Sequence, residues 1–136
     1  MKSLTAALFL FLIFSGISSG QSPDSLKFRS VPPAEFLAAY KNSGNAVLVD
    51  VREFFEYKKS RLNGAINIPS SGNLSAASDT LDSKKDYFFY CTSGFRSKRV
   101  ARFFSGRGFT NIYSLDGGIS AWRKEKLPVD RKKVKR

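Results

Sequence analysis

Apolar positions fall into short blocks whose period switches between two and about 3.6 residues, and that rhythm predicts the elements. Ala46-Val47-Leu48-Val49-Asp50-Val51 is a nearly continuous apolar run, which predicts a strand buried on both faces, as in a parallel sheet. Asp86-Tyr87-Phe88-Phe89-Tyr90 predicts a second strand and Asn111-Ile112-Tyr113-Ser114-Leu115 the last one. Phe28-Arg29-Ser30-Val31 reads as a short edge strand, and Gly64 to Pro69 as a turn, a brief strand and a stop. Between them the period becomes helical. Pro32-Pro33 opens a helix from Ala34 to about Lys41 with Phe36, Leu37 and Tyr40 on one face. Glu53 to Lys59 is a short helix. Ser97 to Arg107 is a longer one, with Val100, Ala101, Phe103 and Phe104 together, and Gly117-Gly118 turns the chain into a last helix carrying Ala121 and Trp122. Ser70 to Ser83 has no strong period beyond Leu74 and Leu81, and reads as a connecting loop or a weak helix. Strands alternate with helices throughout, so the expected class is α/β with a mostly parallel sheet.

The N-terminus departs from this rhythm. Lys2 precedes an apolar stretch from Leu4 to Ile17, and Ser18 and Gly20 are small residues suited to a cut before Gln21. Residues 1–20 therefore read as a secretory signal peptide whose apolar core is short for a membrane span. Residues 21–27 read as a flexible lead-in, 28–124 as one domain, and 125–136 as a basic C-terminal tail. Cleavage leaves 116 of the 136 residues, enough for one hydrophobic core. The expected location is secreted or periplasmic, with no stable membrane anchor after cleavage.

Charge adds a partner class. The whole chain carries a formal +12, and arginine and lysine dominate from Arg123 onward. Such a tail reads as a solvated end. A basic body favours small anionic substrates by steering, and export argues against nucleic acid.

Chemistry concentrates at Cys91, the one cysteine. Six residues, Cys91-Thr92-Ser93-Gly94-Phe95-Arg96, join the aromatic strand to the helix from Ser97. Loop amides turned inward at a helix start stabilise a thiolate and also hold a small anion. Arg96 brings a positive charge to the same place. The competing reading is a small hydrophobe ending a buried strand. The glycine, arginine and hydroxyl residues that follow are poor core material. Ligands in open α/β sheets bind beyond the carboxyl ends of strands, where Asp50, Cys91 and Asp116 all fall.

The chain contains no histidine, which removes Cys-His and Ser-His catalysis and the commonest metal ligand. One cysteine forms neither a zinc site nor an intramolecular disulfide. No metal and no cofactor are expected. Gly106-Arg107-Gly108 reads as a helix end and not as a phosphate loop.

Four segments in order resemble the single-domain rhodaneses, a sulfurtransferase family, over about residues 28–124. They are Leu48-Val49-Asp50-Val51-Arg52 with Glu56-Tyr57, Asn63 to Pro69, Cys91 to Ser97, and Leu115 to Trp122. The resemblance implies a central five-stranded parallel sheet flanked by helices and a cysteine that carries sulfane sulfur as a persulfide. The family's common Gly-His-Ile before the second segment is Ser60-Arg61-Leu62 here, and Arg61 would add positive charge beside the site. On this reading Cys91 is the nucleophile. Thr92, Ser93, Gly94, Phe95 and Arg96 hold the donor's anionic end, and Asp50, Arg52 and Ser97 support them. Asp50 and Arg52 read as structural ties, Asp116 as a turn-former and Trp122 as core. The partners are a small anionic sulfur donor and a thiol or cyanide acceptor, on a monomer. Two alternatives stay open: a non-enzymatic persulfide carrier or binding module, and a cysteine phosphatase of related fold. The phosphatases place five residues between cysteine and arginine; this chain places four.

Overall fold

Side-chain alternation along one strand sorts the core into two layers. In the computed structural model, which describes residues 27–135, Tyr87, Phe89 and Cys91 point to one face of the sheet and Phe88 and Tyr90 to the other. The elements run β1 (Arg29–Val31), α1 (Pro33–Asn42), β2 (Ala46–Asp50), α2 (Phe54–Lys59), β3 (Ile66–Asn67), α3 (Leu74–Asp79), β4 (Asp86–Tyr90), α4 (Phe95–Gly106), β5 (Ile112–Leu115) and α5 (Gly118–Lys124). The five strands form one sheet in the order β1-β5-β4-β2-β3, and every pairing is parallel. The doubly apolar strands β2 and β4 lie in its interior, and the two shortest strands form its edges.

One layer packs Phe36 of α1 and Ile119 and Trp122 of α5 against Leu48, Phe88 and Leu115. The other packs Val100, Ala101 and Phe104 of α4 against Val49, Phe89 and Ile112. Phe104 has rings of Phe89 and Phe109 at 5.0 and 4.8 Å and is fully buried, worth about 1.5–3 kcal/mol of transfer free energy.

Three local expectations are adjusted. The stretch read as loop or weak helix contains α3, capped by the Asn73 side chain on the Ala76 amide at 3.0 Å. Helix α4 begins at Phe95 and not Ser97, because Gly94 takes a left-handed conformation (φ +100°) that turns the chain directly into it. The C-terminal segment read as solvated is tied down in part. Asp130 and Arg61 exchange two backbone bonds of 2.9 and 2.7 Å, and the Trp122 indole donates to the Pro128 carbonyl at 2.9 Å. The signal-peptide reading lies outside the described residues. No helix among the described residues is long and apolar enough to cross a membrane.

Candidate active site

Parallel strands deliver their carboxyl ends to one side of the sheet, and two polar clusters assemble there. At the end of β2 the Asp50 carboxylate is fully buried and fully matched. It accepts from the Arg52 backbone amide at 2.9 Å, from the Arg52 guanidinium at 2.8–3.1 Å and from the Tyr90 hydroxyl at 2.7 Å. Arg52 also donates to the Ser60 carbonyl at 2.6 Å. Tyr90 in turn accepts from the Leu62 amide at 3.0 Å, and burial followed by the Asp50 charge pushes its phenol far up. Asn67 closes the cluster by donating to the Asp50 and Arg52 carbonyls at 3.0 and 2.8 Å. Through these bonds Asp50 and Arg52 tie β2 to the chain leading into β3.

The second cluster follows β4. Cys91 Sγ is almost wholly buried, yet it accepts the Gly94 amide at 3.1 Å and lies 3.7 Å from the Ser97 hydroxyl. Burial alone would raise this thiol. The amides of Ser97, Gly94 and Ser93 and the Ser97 hydroxyl outweigh it, so the pKa sits below its ordinary value. Ser97 is placed by two further contacts, to the Gly94 carbonyl at 3.1 Å and to the Ser114 hydroxyl at 2.9 Å. Ser114 interrupts an otherwise apolar and aromatic strand, which is the signal of this contact in the sequence.

Helix α5 holds the loop from below. The Ile119 and Ser120 amides donate to the Cys91 and Thr92 carbonyls at 2.9 and 3.1 Å. This approach requires glycine at 118. A Cβ there would stand 2.4–2.5 Å from the Cys91 and Thr92 backbone, and φ is +60°. The Gly-Gly pair after Asp116 is therefore part of the site. Asp116 itself is exposed and lies 3.5 Å from Lys98, in keeping with a turn.

Arg96 has a partner that sequence reading did not assign. Its two terminal nitrogens meet the Glu56 carboxylate at 2.8 and 3.1 Å, and one also reaches the Thr92 hydroxyl at 3.1 Å. Thr92 donates to Glu56 at 3.2 Å. Glu56 is held down to about 2, first by the Arg96 hydrogen bond. Arg96, expected to hold the donor's anionic end, is engaged here by Glu56 in a clamp joining α2 to the loop. No local pattern points from Glu56 to Arg96, 40 residues away. Arg61, expected to add positive charge beside the site, has partners as well. It is buried, paired with Asp130 at 3.2 Å, bonded to the Lys132 carbonyl at 2.9 Å, and so adds no open charge.

Of the remaining loop residues, Ser93 is exposed and Phe95 is 76% exposed at the lip. The structure thus joins Cys91, Ser93, Gly94 and Ser97 around the sulfur, sets Thr92 and Arg96 on the Glu56 side, and keeps Asp50 and Arg52 as a separate knot.

Comparison with known proteins agrees with this geometry. The rhodanese-like domain model matches residues 33–125. The thiosulfate sulfurtransferase GlpE of Actinobacillus succinogenes is 33% identical over 86 residues, covering 63% of this chain and 77% of that protein. The uncharacterized protein YqhL of Bacillus subtilis is 35% identical over 94 residues, 69% of this chain and 71% of that one. A crystal structure of a rhodanese-related protein from Thermoplasma volcanium matches with a TM-score of 0.67 at 32% identity, covering 76% of this chain and 99% of that one. A parallel five-stranded sheet, a cysteine ringed by amides at the end of its central strand and a family match across most of the chain lead to one conclusion: this protein belongs to the rhodanese-like domain family.

Proposed function

We propose that the protein is an exported sulfurtransferase that moves sulfane sulfur from thiosulfate or a similar anionic donor to a thiophilic acceptor through a persulfide on Cys91. The observation that carries this reading is a buried sulfur with its pKa lowered by amide donors and no imidazole in the chain. In the first step the Cys91 thiolate attacks the donor's outer sulfur. The donor's S–S bond breaks, its electron pair leaves with sulfite, and a Cys91 persulfide remains. In the second step cyanide or a thiolate attacks the outer persulfide sulfur and the pair returns to Cys91. Neither step needs a general base once the thiol is ionised. The amides that hold the thiolate are placed to hold the persulfide anion. Export is supported by the apolar stretch after Lys2 and by the small residues before Gln21.

Phosphate ester hydrolysis fits less well. Only four residues separate Cys91 from Arg96, and Arg96 is turned to Glu56. The test is mass spectrometry of the mature protein. Thiosulfate should add one sulfur, about 32 Da on a singly modified nucleophile, and cyanide should remove it. Cys91→Ser should show neither event. An unmodified wild-type mass under excess thiosulfate overturns the reading. Steady-state turnover separates an enzyme from a carrier, and aryl phosphate turnover exceeding that of thiosulfate would favour the phosphatase.

A further inference from the structure

A small inorganic donor needs no aromatic surface, yet one borders the Cys91 loop. Phe54 and Phe55 on α2 are 49% and 66% exposed, and Phe95 on the loop lip is more exposed still. Exposed phenylalanines grouped on one side of a small domain mark a contact surface. Phe54 and Phe55 line an open groove of about 500 Å³ whose other walls are Lys58, Lys59, Lys133 and Val134. Of the nearby carboxylates, Glu56 is paired with Arg96 and Asp130 with Arg61, and Glu53 is turned to Ser71 and the α2 backbone. The groove lining itself holds three lysines and no carboxylate, so positive charge lies beside apolar rings. The helix that carries both rings, α2, also reaches the Cys91 loop, because its Glu56 bonds Thr92 and Arg96.

We infer that this basic aromatic groove docks the sulfur acceptor, and that the acceptor is a protein presenting its thiol beside acidic and apolar residues. The inference rests on the persulfide reading above. The acceptor thiolate attacks the outer sulfur of the Cys91 persulfide. A new S–S bond forms on the acceptor, the old one breaks, and the electron pair returns to Cys91. The acceptor's own proton has gone to solvent on ionisation, so no oxidant or reductant is consumed. Charge complementarity selects the partner and accelerates its arrival, while the rings supply the desolvated contact.

The experiment uses two cysteine peptides with the same apolar residues, one flanked by Asp and Glu and one by Lys, with dithiothreitol as a small acceptor. Sulfur transfer from persulfidated protein should be at least about tenfold faster to the acidic peptide at low salt, and the advantage should fade as salt rises. Lys58→Glu with Lys59→Glu should abolish the preference, and Phe55→Ala should slow the acidic peptide, both leaving dithiothreitol unchanged. Equal rates for the two peptides, or equal losses with dithiothreitol, would overturn the inference. A fluorescent acidic peptide with Ser in place of Cys measures docking without persulfide. Failure to form persulfide at all would therefore sink the proposed function while docking is still read by anisotropy, where equal affinity of the wild type and the double Lys variant overturns the groove. Binding to vesicles of anionic lipid with no preference between peptides would identify a membrane surface instead, and would also overturn it.

Discussion

The ends of β2 and β4 are adjacent in the sheet, yet their polar clusters are built to opposite plans. Asp50 has a full counter-charge in Arg52, and the pair is further bonded by Tyr90, Ser60 and backbone. Cys91 has amide and hydroxyl donors but no cation in direct contact, since Arg96 is turned to Glu56. A buried ion pair with complete partners is a poor reactant: moving either charge leaves the other stranded. A thiolate held only by dipoles keeps its lone pairs and its nucleophilicity. The contrast teaches that charge density and an environment favouring a thiolate fall at different strand ends of this sheet, and the proposed function places its chemistry at the second.

The largest expected effect tests the structural half of the comparison. Asp50→Asn should destabilise the fold by about 3–5 kcal/mol, because it leaves the buried Arg52 without its counter-charge. Sulfur transfer per folded molecule should stay near the wild-type value. Denaturant unfolding and single-turnover rates together check this, and a variant of normal stability but low transfer would move Asp50 into the chemistry. Gly118→Ala comes next. The added methyl must push the Cys91–Thr92 backbone away, and a displacement on the order of 1 Å can cost roughly a hundredfold in rate. Transfer at normal rate would show that the α5 contact does not position the loop.

Arg96→Ala and Glu56→Gln distinguish a clamp from an anion receptor. If the pair is a clamp, both variants should lower transfer, by roughly tenfold each, and the double variant should be no worse than the singles. A gain in thiosulfate use on Glu56→Gln would instead mean that the freed guanidinium binds donor. Ser97→Ala should move the pH midpoint of sulfur transfer upward, since one of the donors lowering the Cys91 pKa is lost. Most of the neutral-pH rate should survive, because the amides remain. An unchanged profile would remove the hydroxyl from thiolate stabilisation.

The smallest effect is in stability against pH. Glu56 is depressed from its ordinary value to about 2 in the fold, so the clamp contributes fully above the unfolded carboxylate's titration and is lost as pH falls toward 2. Glu56→Gln should flatten that part of the acid limb, read by urea midpoints between neutral pH and about pH 2. Identical limbs would mean that Arg96 is not held by a Glu56 charge.

Local pattern determined a great deal here. The apolar runs of β2 and β4 set strands buried on both faces, the helical spacing of Val100, Ala101 and Phe104 set the covering face of α4, and a cysteine between strand and helix marked the candidate site. Those features depend on neighbours within a few residues, so they are legible in any short window. What only the tertiary structure decided is who meets whom at the sheet's carboxyl edge. Arg96 meets Glu56 across 40 residues, Arg61 meets Asp130 across 69, and Gly118 supports a loop that left the sheet one strand earlier. Their pairing follows from the strand order β1-β5-β4-β2-β3, which sets α2 beside the Cys91 loop and carries the C-terminal segment back past Arg61. Each charge carries its sign in the sequence, but whether it is open to a ligand depends on the partner that strand order brings within hydrogen-bonding distance.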